Sequence, residues 1–586
     1  MQKRTRPPLF SYGVVLGCCL SATASAVQFS HGEIDGQLTS QLSIGASWST
    51  EKASDDLIAI GNGGKAFSST MDDGRLNFDK GDSFSEIFKG VHELSLNYRN
   101  YGAFIRGKYW YDRRLKDGNV NHGHAPTGYG NTQRDKKLDD SSFDDPAKFS
   151  GAEILDAYVY GEFELGEVLM DLRLGRQVVS WGESTFIRDG INTINPVDLN
   201  AFRRPGAEIK EGLRPVNMIY GNFSLSENFT MEAFYQLKWE KTVVDGCGSF
   251  FSSSDVVASG CDKLTLSGYA RSDEQALAVP NDQGFMSRVK DREPGDSGQY
   301  GLAFRYFSPE LNDTEFGLYY INYHSRIPFF GGVALNPGVS PAVYAMEFPE
   351  DIEVYGFSFS TSVGDYSVAG EISHRPDQPV GLNSTDLLFD AVTGGSTGFI
   401  PGRLAPGKSF SGFDRLPVSQ AQVTVTRFFD QVLGASRLTL LGEVGYSHTG
   451  DLPSTDKVRY GRAPAFGIGK GCNAAVPPFS PASGNDCTKN GYVTSGAWGY
   501  RLLAALNYSN VFAGVNLTPK VAFAHDVDGY SATGVFLEDR QALSMSLAAD
   551  YLNTYTASIS YNTFWGGKYN TSKDRDYAAI SFGVSF

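Results

Sequence analysis

The sequence predicts an all-β fold: a transmembrane antiparallel up-and-down β-barrel of about 18 strands, with short periplasmic turns and long extracellular loops. Three observations predict it. Apolar and polar residues alternate with period two over unusually long segments. The connections alternate between tight turns and long polar stretches. The last segment carries one apolar face and ends on Phe586.

The alternation is plainest from Glu33 to Trp48. Even positions read Ile34, Gly36, Leu38, Ser40, Leu42, Ile44, Ala46 and Trp48, and odd positions are polar or glycine. A helix would need a period of 3.6, which this segment lacks. The pattern returns in Phe229, Met231, Ala233, Tyr235, Leu237 and Trp239, set against Thr230, Glu232, Gln236, Lys238 and Glu240. It returns again at Leu543–Tyr551 and Tyr555–Tyr561. Such segments exceed the ~5–6 residues of a soluble strand and suit a tilted membrane strand. Strand centres are expected near residues 40, 94, 106, 157, 173, 219, 235, 302, 319, 355, 370, 422, 442, 503, 523, 546, 560 and 582. An even number returns both termini to the periplasm. Mean hydropathy is −0.25. No long apolar run follows the N-terminal region, which argues against helical spans.

Tight turns are expected at Arg99–Gly102, Glu164–Glu167, Ser226–Asn228, Val363–Asp365 and Leu552–Thr554. Long stretches lie near 49–87, 114–150, 179–213, 243–296, 326–349, 375–416 and 449–496. The final strand sets Ala578, Ile580, Phe582, Val584 and Phe586 on one face. A terminal Phe on such a strand resembles the signal read by the outer-membrane barrel assembly machinery. This strand must pair with residues 33–48 to close the barrel.

Residues 1–26 read as a signal peptide, leaving 27–586 as one barrel domain. Lys3, Arg4 and Arg6 precede an apolar stretch from Leu9 to Leu20, and Ala24-Ser25-Ala26 offers a cleavage site before Val27. A lipoprotein site at Leu16-Gly17-Cys18 is the alternative. Removing three basic residues takes the formal charge from −15 to −18. That acidity makes nucleic acid an improbable partner. Outer-membrane lipids, the assembly machinery and periplasmic transport proteins are the expected partners. Cys247 with Cys261, and Cys472 with Cys487, form two local pairs in Gly/Ser/Pro-rich segments, and both are expected to be loop disulfides. A metal site at either pair is the rival reading, but no histidine lies near them in sequence. No metal or cofactor is expected.

Several segments carry a family resemblance. They are Arg106–Asp112, Leu174–Ser184 with its Trp181-Gly182-Glu183, Ile191–Asp198, Arg204–Glu208, Asn516–Pro519, His525–Gly529 and Asp574–Asp576. These resemble the Gram-negative outer-membrane proteins of domain-of-unknown-function family 1302, over essentially the whole mature chain. The resemblance implies a porin-like outer-membrane barrel and supplies no reaction or substrate. It also implies work beside exporter-type and lipoprotein-like partners that handle hydrophobic compounds.

The stretch from Arg173 to Arg214 is the most charged. Segment 179–213 is expected either to fold inward and narrow the pore or to pack on the rim, held by internal ion pairs. Pore-lining or constriction candidates are Arg173, Glu183, Arg188, Asp189, Asp198, Arg203, Arg204, Glu208, Glu232, Lys238, Glu371 and Glu443. Further inward-phase charges are Arg106, Lys108, Asp112, Glu240, Arg305 and Arg501, which a salt-bridged wall would explain equally well. Arg176 falls on the lipid phase, so it must end its strand, follow a bulge, or sit near the headgroups. Aromatics near strand ends, such as Trp48, Tyr111, Tyr160, Trp239, Tyr446, Tyr508, Tyr551 and Trp565, suit interfacial girdles.

His324-Ser325 and Ser373-His374 invite a catalytic reading. No Gly-x-Ser-x-Gly or His-Glu-x-x-His accompanies them, and neighbours on a strand face opposite ways. The leading functional expectation is an outer-membrane channel for small or hydrophobic solutes and not an enzyme. The alternatives are a component of an export or lipid-trafficking system, and an enzymatic or purely structural barrel. A TonB-dependent transporter is not expected, because the segment before the first strand is too short for a plug domain.

Overall fold

The computed structural model describes residues 26–124, 135–266, 271–469, 472 and 481–586. The expected signal peptide lies outside the described residues except for Ala26. Eighteen antiparallel strands form a closed barrel, joined by a short leading strand, Val27–His31, into one 19-stranded sheet. The barrel strands are β1 (Ile34–Ser49), β2 (Ser83–Tyr98), β3 (Tyr101–Asp112), β4 (Ser150–Leu165), β5 (Val168–Gln177) and β6 (Val216–Ser226). They continue as β7 (Phe229–Gln236), β8 (Tyr300–Ser308), β9 (Thr314–Tyr323), β10 (Ile352–Val363), β11 (Tyr366–Gly381) and β12 (Phe413–Asp430). The last six are β13 (Arg437–Thr449), β14 (Gly496–Phe512), β15 (Val515–Asp528), β16 (Gln541–Tyr551), β17 (Tyr555–Trp565) and β18 (Tyr577–Ser585). Every strand expected from the alternation is present.

Each strand pairs with its sequence neighbour, and β1 closes on β18 with Leu42 opposite Val584 and Ile44 opposite Phe582. Phe586 ends the seam by exchanging backbone hydrogen bonds with Ser40, at 2.6 and 2.8 Å. Below Ser40 the edge of β1 would be bare. The leading strand fills it, with Val27 opposite Leu38 and His31 opposite Ile34. An unpaired strand edge in lipid strands N–H and C=O groups at several kcal/mol each, so closure is required rather than optional.

The outer face explains where the barrel sits. Ile44, Ile105, Leu174, Leu318, Ile372 and Ile559 point outward and remain exposed at mid-strand. Trp48, Tyr111, Tyr446 and Trp565 ring one end, and Tyr98, Tyr101, Tyr306 and Tyr551 ring the other. A greasy band between two aromatic girdles is the surface of a membrane-spanning barrel of the outer membrane. Among the described residues no helix is long and apolar enough to cross a membrane.

Three expectations change in detail. β7 stops at Gln236, so Lys238, Trp239 and Glu240 belong to the following loop. Trp239 is not a girdle residue: it is buried, and its indole N–H donates to the Ser325 carbonyl at 3.2 Å. The apolar alternation runs on because the loop has a core of its own. Tyr160 points inward, because Val159 takes the lipid-facing phase, and it donates to Asn97. Finally, β11 and β12 extend beyond the expected loop edges, pairing as far as Gly381 with Phe413.

The long connections form a folded cap. Segments 263–265, 285–288, 343–347, 329–333 and 409–411 make a five-stranded sheet. Trp239, Tyr344, Leu387, Phe410 and Tyr460 share a buried cluster beneath it. Both cysteine pairs lie in this cap as disulfides, with Cα separations of 6.2 Å for Cys247–Cys261 and 5.6 Å for Cys472–Cys487. His124, distant in sequence, places Nδ1 3.2 Å from the Cys247 sulfur.

A cross-link tests the closure. A Cβ on Gly583 would stand 3.8 Å from the Ser43 Cβ, the spacing of a disulfide. It would also meet the Thr556 hydroxyl at 2.6 Å, a contact that rotation of Thr556 relieves. Ser43→Cys with Gly583→Cys should therefore oxidise spontaneously, giving a compact species on non-reducing gels. Ser43→Cys with Phe582→Cys, one register away, should not.

Candidate functional site

β5 and β6 are hydrogen-bonded neighbours, so a tight turn would suffice to join them. Residues 178–215 join them instead, and they fold into the barrel. Their neck is tied by Asn195, which accepts from the Val179 N–H at 3.0 Å and donates to the carbonyls of Gln177 and Arg214 at 3.3 and 2.9 Å. Arg176 and Arg214 flank the neck and share Glu153 and Glu240. Arg176 escapes lipid because Gly175, at φ +136°, bends the strand end, where a Cβ would meet the Ala157 carbonyl at 2.3 Å.

The first half runs along the inner wall toward β13. Trp181 packs between Phe234 and Tyr319, with ring centroids 5.1 and 6.0 Å away, and its N–H donates to Glu232 at 2.7 Å. Beyond Trp181 the backbone is irregular and cannot satisfy its own polar groups. Two wall carboxylates do so. Glu371 on β11 accepts from the N–H groups of Glu183, Ser184 and Ile191 at 2.6, 3.1 and 2.9 Å. Glu443 on β13 accepts from Thr185, Phe186 and Ile187 at 2.8, 2.7 and 2.8 Å. The loop's carbonyls find donors on the same strands. Gln420 donates to the Arg188 carbonyl at 2.8 Å, and Arg375 to those of Asp189 and Gly190 at 3.0 and 2.6 Å. A Cβ on Gly190 would sit 1.8 Å from a Glu371 oxygen and 2.7 Å from the Gln422 amide nitrogen, so any side chain there displaces Glu371 from its place.

The second half turns toward β1, β2 and β3. Asp198 caps the short helix Leu199–Arg203 and pairs with Lys108 at 3.1 Å, both fully buried. Lys89 meets Glu211 at 2.5 Å and donates to the Gly206 carbonyl at 2.8 Å. Gln41 donates to Glu208 at 2.6 Å, and Lys210 joins Glu208 and Glu93 at 3.1 and 3.0 Å. Arg204 lies 4.4 Å over the Trp110 ring, while Arg203 pairs with Asp245 and covers Phe251.

Most of the sequence candidates thus meet in this one assembly. Glu183, Arg188, Asp189, Asp198, Arg203, Arg204 and Glu208 lie on the loop, and Glu371 and Glu443 hold it. Glu232 ties Trp181 to Arg305, 2.9 Å away. Arg173 stays on the wall, paired with Asp171 at 2.7 Å. Lys238 does not join: it is exposed on the external loop. Of the other inward charges, Arg106 pairs with Asp156 at 2.7 Å and Arg501 with Asp526 at 2.6 Å. Asp112 caps the short helix after β3 through the Leu115 N–H. The salt-bridged wall therefore holds for these pairs and fails for Glu371 and Glu443, which bind backbone. The sequence reading missed Gln420, Gln422, Arg375, Trp181, Lys89 and Glu211 as holding residues. Local signals were the inward phase of Gln420-Ala421-Gln422, the Trp181-Gly182-Glu183 motif and, for Glu211, the charged stretch that contains it.

The loop leaves part of the lumen open. Phe186, Phe202 and Ile209 are 42%, 39% and 72% exposed, and Arg188 lies 4.0 Å from Asp189 with its side chain 61% exposed. Opposite, the inward Ala522, Ser544, Ser546, Ala548 and Ser560 on β15–β17 are only partly buried.

The two histidine motifs serve structure. His324 is buried, bridging the Ser297 carbonyl at 2.8 Å and the Asp351 N–H at 3.0 Å. His374 points outward and meets Ser419 at 2.9 Å.

The class of molecule is now defined: an outer-membrane β-barrel with one connection folded into its lumen. The chain belongs to the family described as a protein of unknown function, DUF1302, whose model matches residues 8–586. No curated protein matches it in sequence. Among solved structures it is similar to OccAB1 of Acinetobacter baumannii, with TM-score 0.42 and 7% identity over 94% of this chain and 96% of that one. It is also similar to OccAB3 of the same organism, with TM-score 0.41 and 8% identity over 94% and 99%. OccK1 (OpdK) of Pseudomonas aeruginosa gives TM-score 0.37 and 8% identity over 94% and 98%.

The latch is testable by proteolysis. Glu371→Ala leaves three loop N–H groups without acceptors, each worth about 1–3 kcal/mol when desolvated. We expect trypsin to cut after Arg188 in Glu371→Ala and Gly190→Ala but not in the parent protein. All three should keep the heat-modifiable gel migration of a folded barrel.

Proposed function

We propose that the protein is a selective outer-membrane channel whose aperture is set by residues 178–215. The observation that carries this reading is the fastening of an irregular backbone segment across the lumen by Glu371 and Glu443. A rim loop would need no such acceptors at mid-strand. The aperture is bounded on one side by the loop and on the other by the small, mostly uncharged wall of β15–β17. Phe186, Phe202 and Ile209 give the loop exposed apolar surface beside the cationic Arg188. That combination suits small solutes with an apolar body and an anionic group. Rings of fixed charge at a constriction set ion preference in the same way.

Planar-bilayer recording tests the reading. The parent protein should conduct with a small unitary conductance. Glu371→Ala/Glu443→Ala, or deletion of 183–208, should raise it several-fold. Arg188→Glu should shift the reversal potential in a salt gradient toward cation preference. Equal conductance and selectivity in folded variants would remove the constriction role from this loop.

A further inference from the structure

The external cap contains a second buried polar assembly that the channel reading leaves unexplained. Asp72 and Asp73 lie on the connection between β1 and β2, and Asp255 lies on that between β7 and β8. Their exposures are 0%, 0% and 4%. One carboxylate oxygen from each lies within 4.8 Å of the other two. We propose that Asp72, Asp73 and Asp255 form a binding site for a hard divalent cation of the calcium or magnesium class.

Two observations point to a ligand rather than to an acidic cluster alone. Asp72 uses only Oδ2 in hydrogen bonds, from the Ala59 N–H at 2.9 Å and Asn62 at 3.0 Å. Asp255 likewise uses only Oδ2, from the Asp73 N–H at 3.2 Å. The other oxygen of each is buried and has no hydrogen-bond partner among the described residues. A buried carboxylate oxygen without a partner is costly, and both belong to the trio whose carboxylates approach within 4.8 Å of one another. Their backbone and amide contacts fix both carboxylates in place, so neither can swing out to water.

The local charge balance agrees. His122 Nε2 lies 3.4 Å from Asp73 and 3.7 Å from Asp273. Arg75 and Arg575, the neighbouring cations, are both paired with Asp574, at 2.9 and 3.0 Å. Neither Asp72 nor Asp255 has an ion-pair partner within 4.0 Å among the described residues. An all-oxygen donor set of carboxylates selects a hard divalent ion, with water completing its shell. The ion would fasten the first external connection to the fourth, beside the Arg75–Asp574 pair that holds the last.

Isothermal titration of the detergent-purified, EDTA-treated protein with CaCl2 and MgCl2 tests the site. We expect saturable binding of one ion per chain in the ~10⁻⁴–10⁻³ M range of extracellular modules. Asp72→Asn and Asp255→Asn should each weaken it at least tenfold. Glu51→Gln, an exposed acid on the same connection, should leave it unchanged. Bound ion should also slow proteolysis within residues 50–82 several-fold. Gel migration checks that each variant is folded. Should both asparagine variants fail to fold, the parent titration and proteolysis decide alone. No saturable binding by the parent, or binding kept in both folded variants, overturns the site. A cluster neutralised by protons alone would show no binding and gain stability as pH falls.

Discussion

Glu371 and Glu443 each present a carboxylate to three backbone N–H groups of the inward loop, and the lumen is organised around that arrangement. An irregular segment inside a barrel has lost water on several sides and cannot form a ladder with the wall, whose strands already pair with one another. Its N–H groups need acceptors that the wall backbone cannot supply. A carboxylate is the strongest side-chain acceptor available, and its bonds to N–H donors are charge-assisted. The converse holds as well: each buried carboxylate needs donors, and the loop supplies them without a cationic side chain. The two requirements satisfy each other, and among the described residues neither glutamate has an arginine or lysine within ion-pair distance.

The rest of the inner wall follows from the same constraint. Where the loop approaches the wall, β11 and β12 offer Gln420, Gln422 and Arg375, whose donors match the loop's carbonyls. Where it turns toward the opposite wall, Lys89 and Lys108 play that part while neutralising Glu211 and Asp198. Charges that do not meet the loop pair across neighbouring strands, as Arg106 does with Glu93 and Asp156. The open side, on β15–β17, is built mostly from serine and alanine, with the exposed Lys520 opposite Ser546 on the same inward face. In the cap at the external end, Arg459 pairs with Asp386 and Arg75 with Asp574, whereas Asp72 and Asp255 have no such partner among the described residues.

Much of the barrel was legible in the sequence because lipid imposes a local rule. A strand in the membrane shows one apolar and one polar face, and residues 34–48, 543–551 and 555–561 display that rule without help from their neighbours. Errors arose where another environment imitated it. Trp239 continues the apolar phase of β7 because the cap has its own core, and Tyr160 is an aromatic near a strand end that faces the lumen. The inward-folded loop was visible only as a concentration of charge and motif between Arg173 and Arg214. Its partners on β11–β13 were not visible as partners, since Glu371 and Glu443 lie far away in sequence and read as ordinary inward charges.

The sequence by itself determined a closed membrane barrel of this size, the strands that build it, the seam at Phe586 and the two disulfides. These follow from periodicity and short-range pairing. Only the tertiary structure decided what stands inside the barrel and in its cap. Which carboxylate receives which N–H, and which buried aspartates converge, depends on strands and loops brought together across the barrel. Local pattern carries no record of that geometry, because an inward-facing glutamate obeys the same alternation whether it pairs with an arginine, lines water or holds a loop.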